Sequence, residues 1–464
     1  MNNYDYDLVI LGSGPGGYVA AIQAGQLGLK TAVIEKEKPG GVCLNIGCIP
    51  SKALIHQAEI FSYIHELEAV GVKSDTSGFD YSRVFKKSRA AADRLSKGVK
   101  FLLKKNNADL VMGRGTIQDS HTVRVDEGKT VTGRNLIIAA GSRPRELPPF
   151  PFDGDKIISS SDALMLEKLP SSIVILGAGA IGMEFAYIMN AFGTKVTVVE
   201  LLDRILPLED GEVTAVLDKD MRKRGVEIMT GTTAKEVKHT QDGIVLSVET
   251  KDGGREELEA EKLLVAVGRV PNTEDIGLEK LGIKTEKGFI PAGDYYETSR
   301  EGVFAIGDVV SSPLLAHVAS REGEIAVEYI AGKKPRRKKI DPWNIPSAVY
   351  TEPQVASFGL KEEDAEKEGR KVKKSVFPYR GAGKAVAVEK KEGLVKIITD
   401  TGTGEILGAH ISGSGATELI HELLLARNAE LLPEDIAETI HAHPTLSEGV
   451  MEAARGAFKA PIHL

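Results

Sequence analysis

The strongest constraint on how this chain can fold is a supersecondary unit that occurs twice. Tyr6–Leu11 (YDLVIL) reads as a buried strand running into Gly12-Ser-Gly14-Pro-Gly-Gly17. A helical stretch is predicted from Tyr18 to about Leu27, then a strand over Thr31–Ile34 that ends on Glu35. Ser172–Leu176 (SIVIL) likewise leads into Gly177-Ala-Gly179-Ala-Ile-Gly182, a helix to about Phe192, a strand over Lys195–Val199 and then Glu200. In both copies the acid stands 23 positions after the first glycine (12 to 35 and 177 to 200). A strand, G-x-G-x-x-G, a helix, a strand and an acid make up the dinucleotide-binding βαβ unit. The first glycine allows a tight turn, the second lets backbone approach a pyrophosphate, and the third lets helix and strand pack closely. The helix N-terminus then faces the phosphates. A single glycine pattern is weak evidence, because glycine-rich turns are common. Two full units with matched acids predict two nucleotide sites. Glu35 and Glu200 each suit a ribose 2′-hydroxyl, whereas a 2′-phosphate would want Arg. Leu201, Leu202 and Asp203 separate Glu200 from Arg204, so NAD(H) is favoured over NADP(H) at the second unit.

A chain of 464 residues exceeds what one hydrophobic core supports, so two to four domains are expected. The net charge of −7 gives no general attraction to nucleic acid or to an anionic membrane. No apolar run approaches the ~20 residues that span a bilayer. The opening MNNYDYDLVILGSG has neither the basic region nor the cleavage site of a signal peptide. With two cysteines in all, the expected compartment is reducing, the cytoplasm. The basic run 333–339 (KKPRRKK) reads as a solvated linker. Residues 361–374 read as an exposed, salt-bridged helix followed by a basic turn.

Both cysteines lie in one stretch, residues 40–54, GGVCLNIGCIPSKAL. The gap between Cys43 and Cys48 is too wide for C-x-x-C, and no second pair or nearby His completes a metal site, so no metal is expected. Pro50 fits only a first helical turn, which predicts a helix beginning near Cys48 with Cys43 in an irregular turn before it. The positive helix end then lowers the Cys48 thiol pKa. In a regular helix residues five apart lie too far apart for a disulfide, which closes only if the segment is distorted. From the residues alone a redox pair and a buried, inert pair both stand open. The same holds for residues 441–448, His-Ala-His443-Pro-Thr445-Leu-Ser-Glu448. His443 precedes Pro444, which favours extended backbone. Thr445-x-x-Glu448 is also a capping box, so an acid that caps a helix weighs evenly against an acid that orients a histidine base. Lys52 and Glu184, taken alone, read as surface helix charges.

These motifs together resemble the flavin-dependent pyridine nucleotide-disulfide oxidoreductases, and the likeness covers essentially the whole chain. GGVCLNIGCIPSKAL resembles the family's redox-disulfide signature. Ala305-Ile-Gly307-Asp308-Val309 resembles its second FAD motif, Val267-Gly268-Arg269-Val-Pro-Asn272 the segment that ends the NAD domain, and 441–448 the C-terminal active-site motif. Val42 departs from the pattern, standing where the family usually has Thr. The resemblance assigns Gly12, Gly14, Gly17, Glu35, Lys52, Gly115, Asp308 and Ala316 to FAD, and Gly177, Gly179, Gly182, Glu200 and Gly268 to NAD. It implies a Cys43–Cys48 redox disulfide, with Cys48 nearer the flavin. It further implies Lys52 near the flavin paired with Glu184, and His443 as a base oriented by Glu448. His441 is the less favoured base.

The expected fold is α/β, with two Rossmann-like dinucleotide-binding domains and a C-terminal α/β dimerisation domain. Its parts are 1–147 (FAD, first part), 148–271 (NAD), 272–342 (FAD, second part) and 343–464 (interface). The FAD domain is expected to be discontinuous, because AIGDV lies beyond the NAD unit. The resemblance implies a homodimer in which each C-terminal domain completes the other subunit's site. The expected reaction is oxidation of a dihydrolipoyl group, carried by a 2-oxo acid dehydrogenase or glycine-cleavage complex subunit, with reduction of NAD⁺. Sibling readings are a glutathione-type reductase, which usually carries an Arg after the second unit's strand, and a mercuric-type reductase, which carries a vicinal cysteine pair near its C-terminus. This chain has neither. A partner-binding structural flavoprotein is the reading from another class; the intact set Cys43, Cys48, Lys52, His443 and Glu448 argues against it.

Overall fold

The computed structural model describes residues 4–126 and 128–464, so the first three residues of the N-terminal segment read above lie outside it. The first unit builds a parallel sheet in the order Ala108–Met112, Thr31–Glu35, Tyr6–Leu11, Lys129–Ile138. Leu8, Val9, Ile10 and Leu11 are all buried. That is why YDLVIL is a continuous apolar run and not an alternating one: a central parallel strand is covered on both faces. The first helix spans Pro15–Gln26, beginning three residues before the predicted Tyr18 because Pro15 takes the first helical position, where its missing N–H costs nothing. The first half of Lys129–Ile138 pairs with an antiparallel meander, Gly115–Asp119 and Thr122–Val125. Its second half accepts Val303–Ala305 as a further parallel strand, with Val303 opposite Leu136 and Ala305 opposite Ile138.

The second unit repeats this plan. Its parallel sheet runs Glu227–Met229, Lys195–Val199, Ser172–Leu176, Lys262–Val265, Ile157–Ile158. The antiparallel meander beside it is Thr233–His239, Ile244–Glu249 and Arg255–Ala260. A two-stranded ribbon, Ser142–Pro144 with Arg269–Pro271, joins the two units where the chain passes between them. The third sheet is antiparallel, in the order Ser347–Val349, Gln354–Gly359, Ile406–Gly413, Leu394–Asp400, Val372–Pro378. Helices Ala416–Asn428, Pro433–Glu438 and Ser447–Phe458 complete that domain.

The segment 361–374 differs in one detail from the sequence reading. Residues 361–374 hold a short helix, Glu362–Lys367, but the expected basic turn is the start of the strand Val372–Pro378. The strand lies at the sheet edge, where lysines discourage pairing with other chains. The run 333–339 is coil, tied down by Lys338 on Asp294 at 2.6 Å and by Lys339 donating to the Ala292 carbonyl.

The second unit is bolted to the third sheet by buried charge. The Lys396 ammonium, 1% exposed, lies 2.9 Å from Asp210, 2.5 Å from Glu212 and 2.7 Å from Glu362. Arg204 pairs with Glu363 at 3.0 Å and donates to the Glu209 carbonyl. Buried Glu209 accepts from Ser347 and Ser357.

Candidate active site

The segment around the cysteines is two helices meeting at a break. Cys43 lies in a short helix, Gly41–Ile46, and not in the irregular turn expected from sequence; Gly47 interrupts, and Cys48–Ala69 follows. Asn45 accounts for the short helix, its amide donating to the Gly41 carbonyl at 2.9 Å and the Pro39 carbonyl at 3.2 Å. Gly41 sits against the first phosphate turn so closely that a Cβ there would lie 2.7 Å from the Gly14 Cα. The cysteine segment is thereby docked directly over that turn.

Both cysteines are free thiols, held in hydrogen-bond contact with each other. The Cys43 thiol donates to the Cys48 sulfur, which pushes Cys43 strongly upward, and burial adds to it. The same bond lowers Cys48 to about 7 against its burial, and the Lys52 ammonium one helical turn away lowers it further. A thiolate at Cys48 near neutral pH is the chemical result.

Lys52 pairs with Glu184 on the Ala180–Ala191 helix, Nζ lying 3.0 Å from Oε1 and 2.9 Å from Oε2. Burial lowers the Lys52 pKa, but the Glu184 carboxylate outweighs it, so the net shift is upward. This pair contradicts the reading of both residues as surface charges: Glu184 is buried and spans from one nucleotide unit to the other. Tyr350 closes the group, its ring centroid 4.5 Å from Lys52 Nζ and its backbone N–H donating to Glu184 Oε1 at 3.2 Å.

The two glycine turns match in detail. Gly12 and Gly177 both have φ +104°. A Cβ at Gly17 would fall 1.9 Å from the Gly12 carbonyl oxygen, and one at Gly182 would fall 1.9 Å from that of Gly177. At Gly14 and Gly179 a Cβ would meet nothing within 4 Å. The outer glycines are therefore fixed by packing, while the middle ones border open space at a helix N-terminus, which is where a pyrophosphate fits. Glu35 is buried and accepts from Ser13 N–H (3.0 Å), Ser13 Oγ (2.6 Å) and Glu37 N–H (2.8 Å). Glu200 accepts from Ala178 N–H (2.7 Å) and Leu202 N–H (2.9 Å). Carboxylates fixed in this way keep lone pairs free for ribose hydroxyls. The residues fit FAD and NAD as groups to be held.

The other expected cofactor contacts fall in different settings. Asp308, in the 3₁₀ turn Gly307–Val309, accepts from Ser142 Oγ at 2.5 Å, and Ser142 accepts in turn from Arg269 Nε at 2.7 Å. Ala316 opens the Ala316–Ile330 helix, which crosses Pro15–Gln26 so tightly that a Cβ on Gly16 would lie 3.1 Å from the Ala319 oxygen. Gly115 begins a meander strand, packed under Leu11 and Ile34. Gly268 has φ +115° with open space at its Cβ position.

His443 and Glu448 form a second group. Glu448 Oε1 lies 2.8 Å from His443 Nδ1, and its Oε2 accepts from Thr445 N–H at 2.8 Å. The two readings of this motif are thus not exclusive: one oxygen reaches back as in a capping box, the other holds the imidazole. Thr445 Oγ does not complete the box, donating instead to the Ala442 carbonyl. Those two hydrogen bonds draw the Glu448 carboxyl below its usual range. His441 is engaged elsewhere, with Glu422 at 2.8 Å. The His443 side chain is 75% exposed, and it is not among the groups that act on either thiol. Within one chain the structure brings Cys43, Cys48, Lys52 and Glu184 together and leaves His443 and Glu448 apart from them.

Ser142 and Tyr350 are absent from the sequence reading. Ser142 is marked only by the small-residue run Ala139-Ala-Gly141 after a buried strand, and Tyr350 only by the strand that precedes it. Their partners come from over 100 residues away.

Comparison with known proteins agrees with this geometry. Residues 6–323 match the family described as pyridine nucleotide-disulphide oxidoreductase, and residues 345–454 match the dimerisation domain of the same family. The chain is 43% identical to a dihydrolipoyl dehydrogenase of Bacillus subtilis over 99% of both chains. It is 43% identical to one of Corynebacterium glutamicum over 97% of both. Among solved structures, LpdA from Mycobacterium tuberculosis superposes with a TM-score of 0.88 at 27% identity, covering 97% of this chain and 98% of that one. The HOCl-induced flavoprotein disulfide reductase RclA from Escherichia coli superposes at 0.84 and 27%, covering 96% and 98%. Paired nucleotide turns, a thiol pair docked on the first of them and agreement along the full length lead to one conclusion: this chain belongs to the pyridine nucleotide-disulphide oxidoreductase family.

Proposed function

We propose that the chain is an FAD-containing, NAD⁺-dependent dihydrolipoyl dehydrogenase. The observation that carries this reading is the Cys43–Cys48 thiol pair beside the Lys52–Glu184 ion pair, in a chain 43% identical to dihydrolipoyl dehydrogenases end to end. Oxidised, the two sulfurs form a disulfide. His443, oriented through Nδ1 by Glu448, takes a proton from one substrate thiol. That thiolate attacks the Cys43 sulfur, giving a mixed disulfide and releasing Cys48 as a thiolate that Lys52 stabilises. The second substrate thiol attacks the mixed disulfide, closes the lipoyl ring and leaves Cys43 reduced. Two electrons and two protons have left the dithiol. When bound, FAD supplies the two-electron relay from the reduced cysteines to NAD⁺. Gly12, Gly14, Gly17, Glu35, Gly115, Asp308 and Ala316 would hold FAD; Gly177, Gly179, Gly182, Glu200 and Gly268 would hold NAD.

Arg204 supports NAD over NADP, because its guanidinium is committed to Glu363 and not free for a 2′-phosphate. The separation of His443 from the thiols supports a homodimer in which His443 and Glu448 of one subunit serve the cysteines of the other. Exposed Ile440 (97%) and Leu425 (69%) on the third domain support the same reading. We divide the chain at 147/148, 271/272 and 342/343. The substrate dithiol belongs to a lipoyl-bearing subunit of a 2-oxo acid dehydrogenase or glycine-cleavage complex, and the cytoplasm is the compartment that a chain with two cysteines suits. Among the described residues no helix is long and apolar enough to cross a membrane. The test is a steady-state assay of dihydrolipoamide, glutathione disulfide and Hg²⁺ against both nicotinamides. NADH formation from dihydrolipoamide is expected; preferential reduction of glutathione disulfide or Hg²⁺ would overturn the reading.

A further inference from the structure

Lys52 makes both of its hydrogen bonds to one carboxylate, leaving the rest of the ammonium to a ring from a third domain. Tyr350 follows the strand Ser347–Val349, places its face 4.5 Å from Lys52 Nζ and gives its own N–H to Glu184. Its ring packs against the large core cluster that contains Met183, Phe185 and Val349. Burial raises the phenol, so the ring stays neutral and offers an uncharged π face. A cation held over such a face is stabilised and, with its other side on Glu184, is fixed in place. The charge at Cys48 is felt by both Lys52 and Tyr350, so the ring stands within the field of the redox centre.

We propose that Tyr350 is a positioning residue for the redox centre, using its ring to hold the Lys52 ammonium where it stabilises the Cys48 thiolate. The inference rests on the dithiol reading given above. It adds that the interface domain reaches the thiols within the same chain, through Tyr350. The groups that face Cys48 are Cys43, Lys52, Glu184, Arg269 and the neutral Tyr350 phenol, and of the charged ones only Lys52 is held by the ring. The Glu184 hydrogen bond uses the Tyr350 backbone and survives side-chain substitution.

The experiment titrates the Cys48 thiolate by its ultraviolet absorbance in FAD-loaded Cys43→Ser protein, which needs no turnover. Adding Tyr350→Leu should raise the titration midpoint by about 0.5–1 pH unit, equivalent to losing roughly threefold to tenfold of the thiolate. Tyr350→Phe keeps the face and should leave the midpoint in place. If the Leu protein does not fold, Tyr350→Met keeps more of the apolar volume and carries the same expectation. An unchanged midpoint in the Leu or Met protein overturns the role of Tyr350 while leaving the dithiol reading intact. A Cys43→Ser parent whose Cys48 titrates as an ordinary free thiol, near about 8.5, overturns the hold of Lys52 on Cys48, whereas a wild-type protein that does not oxidise dihydrolipoamide overturns the dithiol reading.

Discussion

Placing a methyl group on the middle glycine of each phosphate turn should separate the two nucleotide sites without unfolding either. Gly179 has φ −71°, ordinary for any L-residue, and a Cβ there meets no protein atom within 4 Å. The folded protein therefore has no reason to resist Gly179→Ala, and thermal stability should stay within about 1 kcal/mol of the parent. On the proposed placement of NAD⁺, the methyl would occupy the space of its pyrophosphate. Forcing a group of that size into a filled contact costs about 1–3 kcal/mol, roughly 5- to 150-fold in affinity. The KM for NAD⁺ should rise accordingly, with FAD content on purification unchanged. Gly14→Ala, whose φ of −62° and empty surroundings are equivalent, should instead lower FAD retention. Gly182→Ala is the control: its Cβ would lie 1.9 Å from the Gly177 oxygen, so the helix must move and the protein should lose stability outright. A Gly179→Ala protein that binds NAD⁺ as well as the parent would refute the placement of a pyrophosphate over that turn.

Glu448→Gln can keep an acceptor on the Thr445 N–H but then turns its amide N–H₂ toward His443 Nδ1, imposing the wrong tautomer for a base at Nε2. The fall in kcat should be about 10²- to 10⁴-fold, the range a positioned general base supplies; full activity with an unchanged thermal midpoint would remove the dyad. Lys396→Met strands Asp210, 2% exposed, without its cation, and urea unfolding at neutral pH should show a loss of about 3–5 kcal/mol. Burial opposes ionisation of Asp210, but His410 and Lys396 outweigh it and hold its pKa below the usual range. Its contribution is therefore present above the unfolded carboxyl pKa of about 3.9 and is lost as pH falls through the folded value, so parent and variant should converge in acid. Arg204→Ala should leave the NAD⁺ preference over NADP⁺ unchanged and cost about 1 kcal/mol of stability, since the pair with Glu363 is partly exposed; a tenfold change in cofactor preference would show that Arg204 reads the ribose.

The parallel strands were legible because burial on both faces writes itself as an unbroken apolar run, and Glu35 and Glu200 because each must end such a run. The helix carrying Cys43 was not, since Gly-Val-Cys-Leu-Asn-Ile has poor helix propensity and stands only because Asn45 ties it back on itself and Arg89 grips the Asn45 carbonyl. The start of the strand at 372 was hidden for the opposite reason: an edge tolerates lysines, so a local reading takes them for a turn. Lys52 illustrates the limit. Within its own helix only Cys48, one turn back, sets it apart from an exposed lysine; the rest of its meaning comes from Glu184 and Tyr350, 132 and 298 positions further along the chain.

The strand Val303–Ala305 has a consequence for biogenesis. It pairs with Leu136–Ile138, so the first nucleotide unit cannot finish its sheet until the chain beyond the second unit exists. During synthesis the Leu136–Ile138 edge stays open while the second unit, whose strands all lie between residues 157 and 265, can already close. Domains fold as units when their sequence is complete. A ribosome stalled before residue 303 would thus carry every strand of the inner unit's sheet but an outer unit still lacking one.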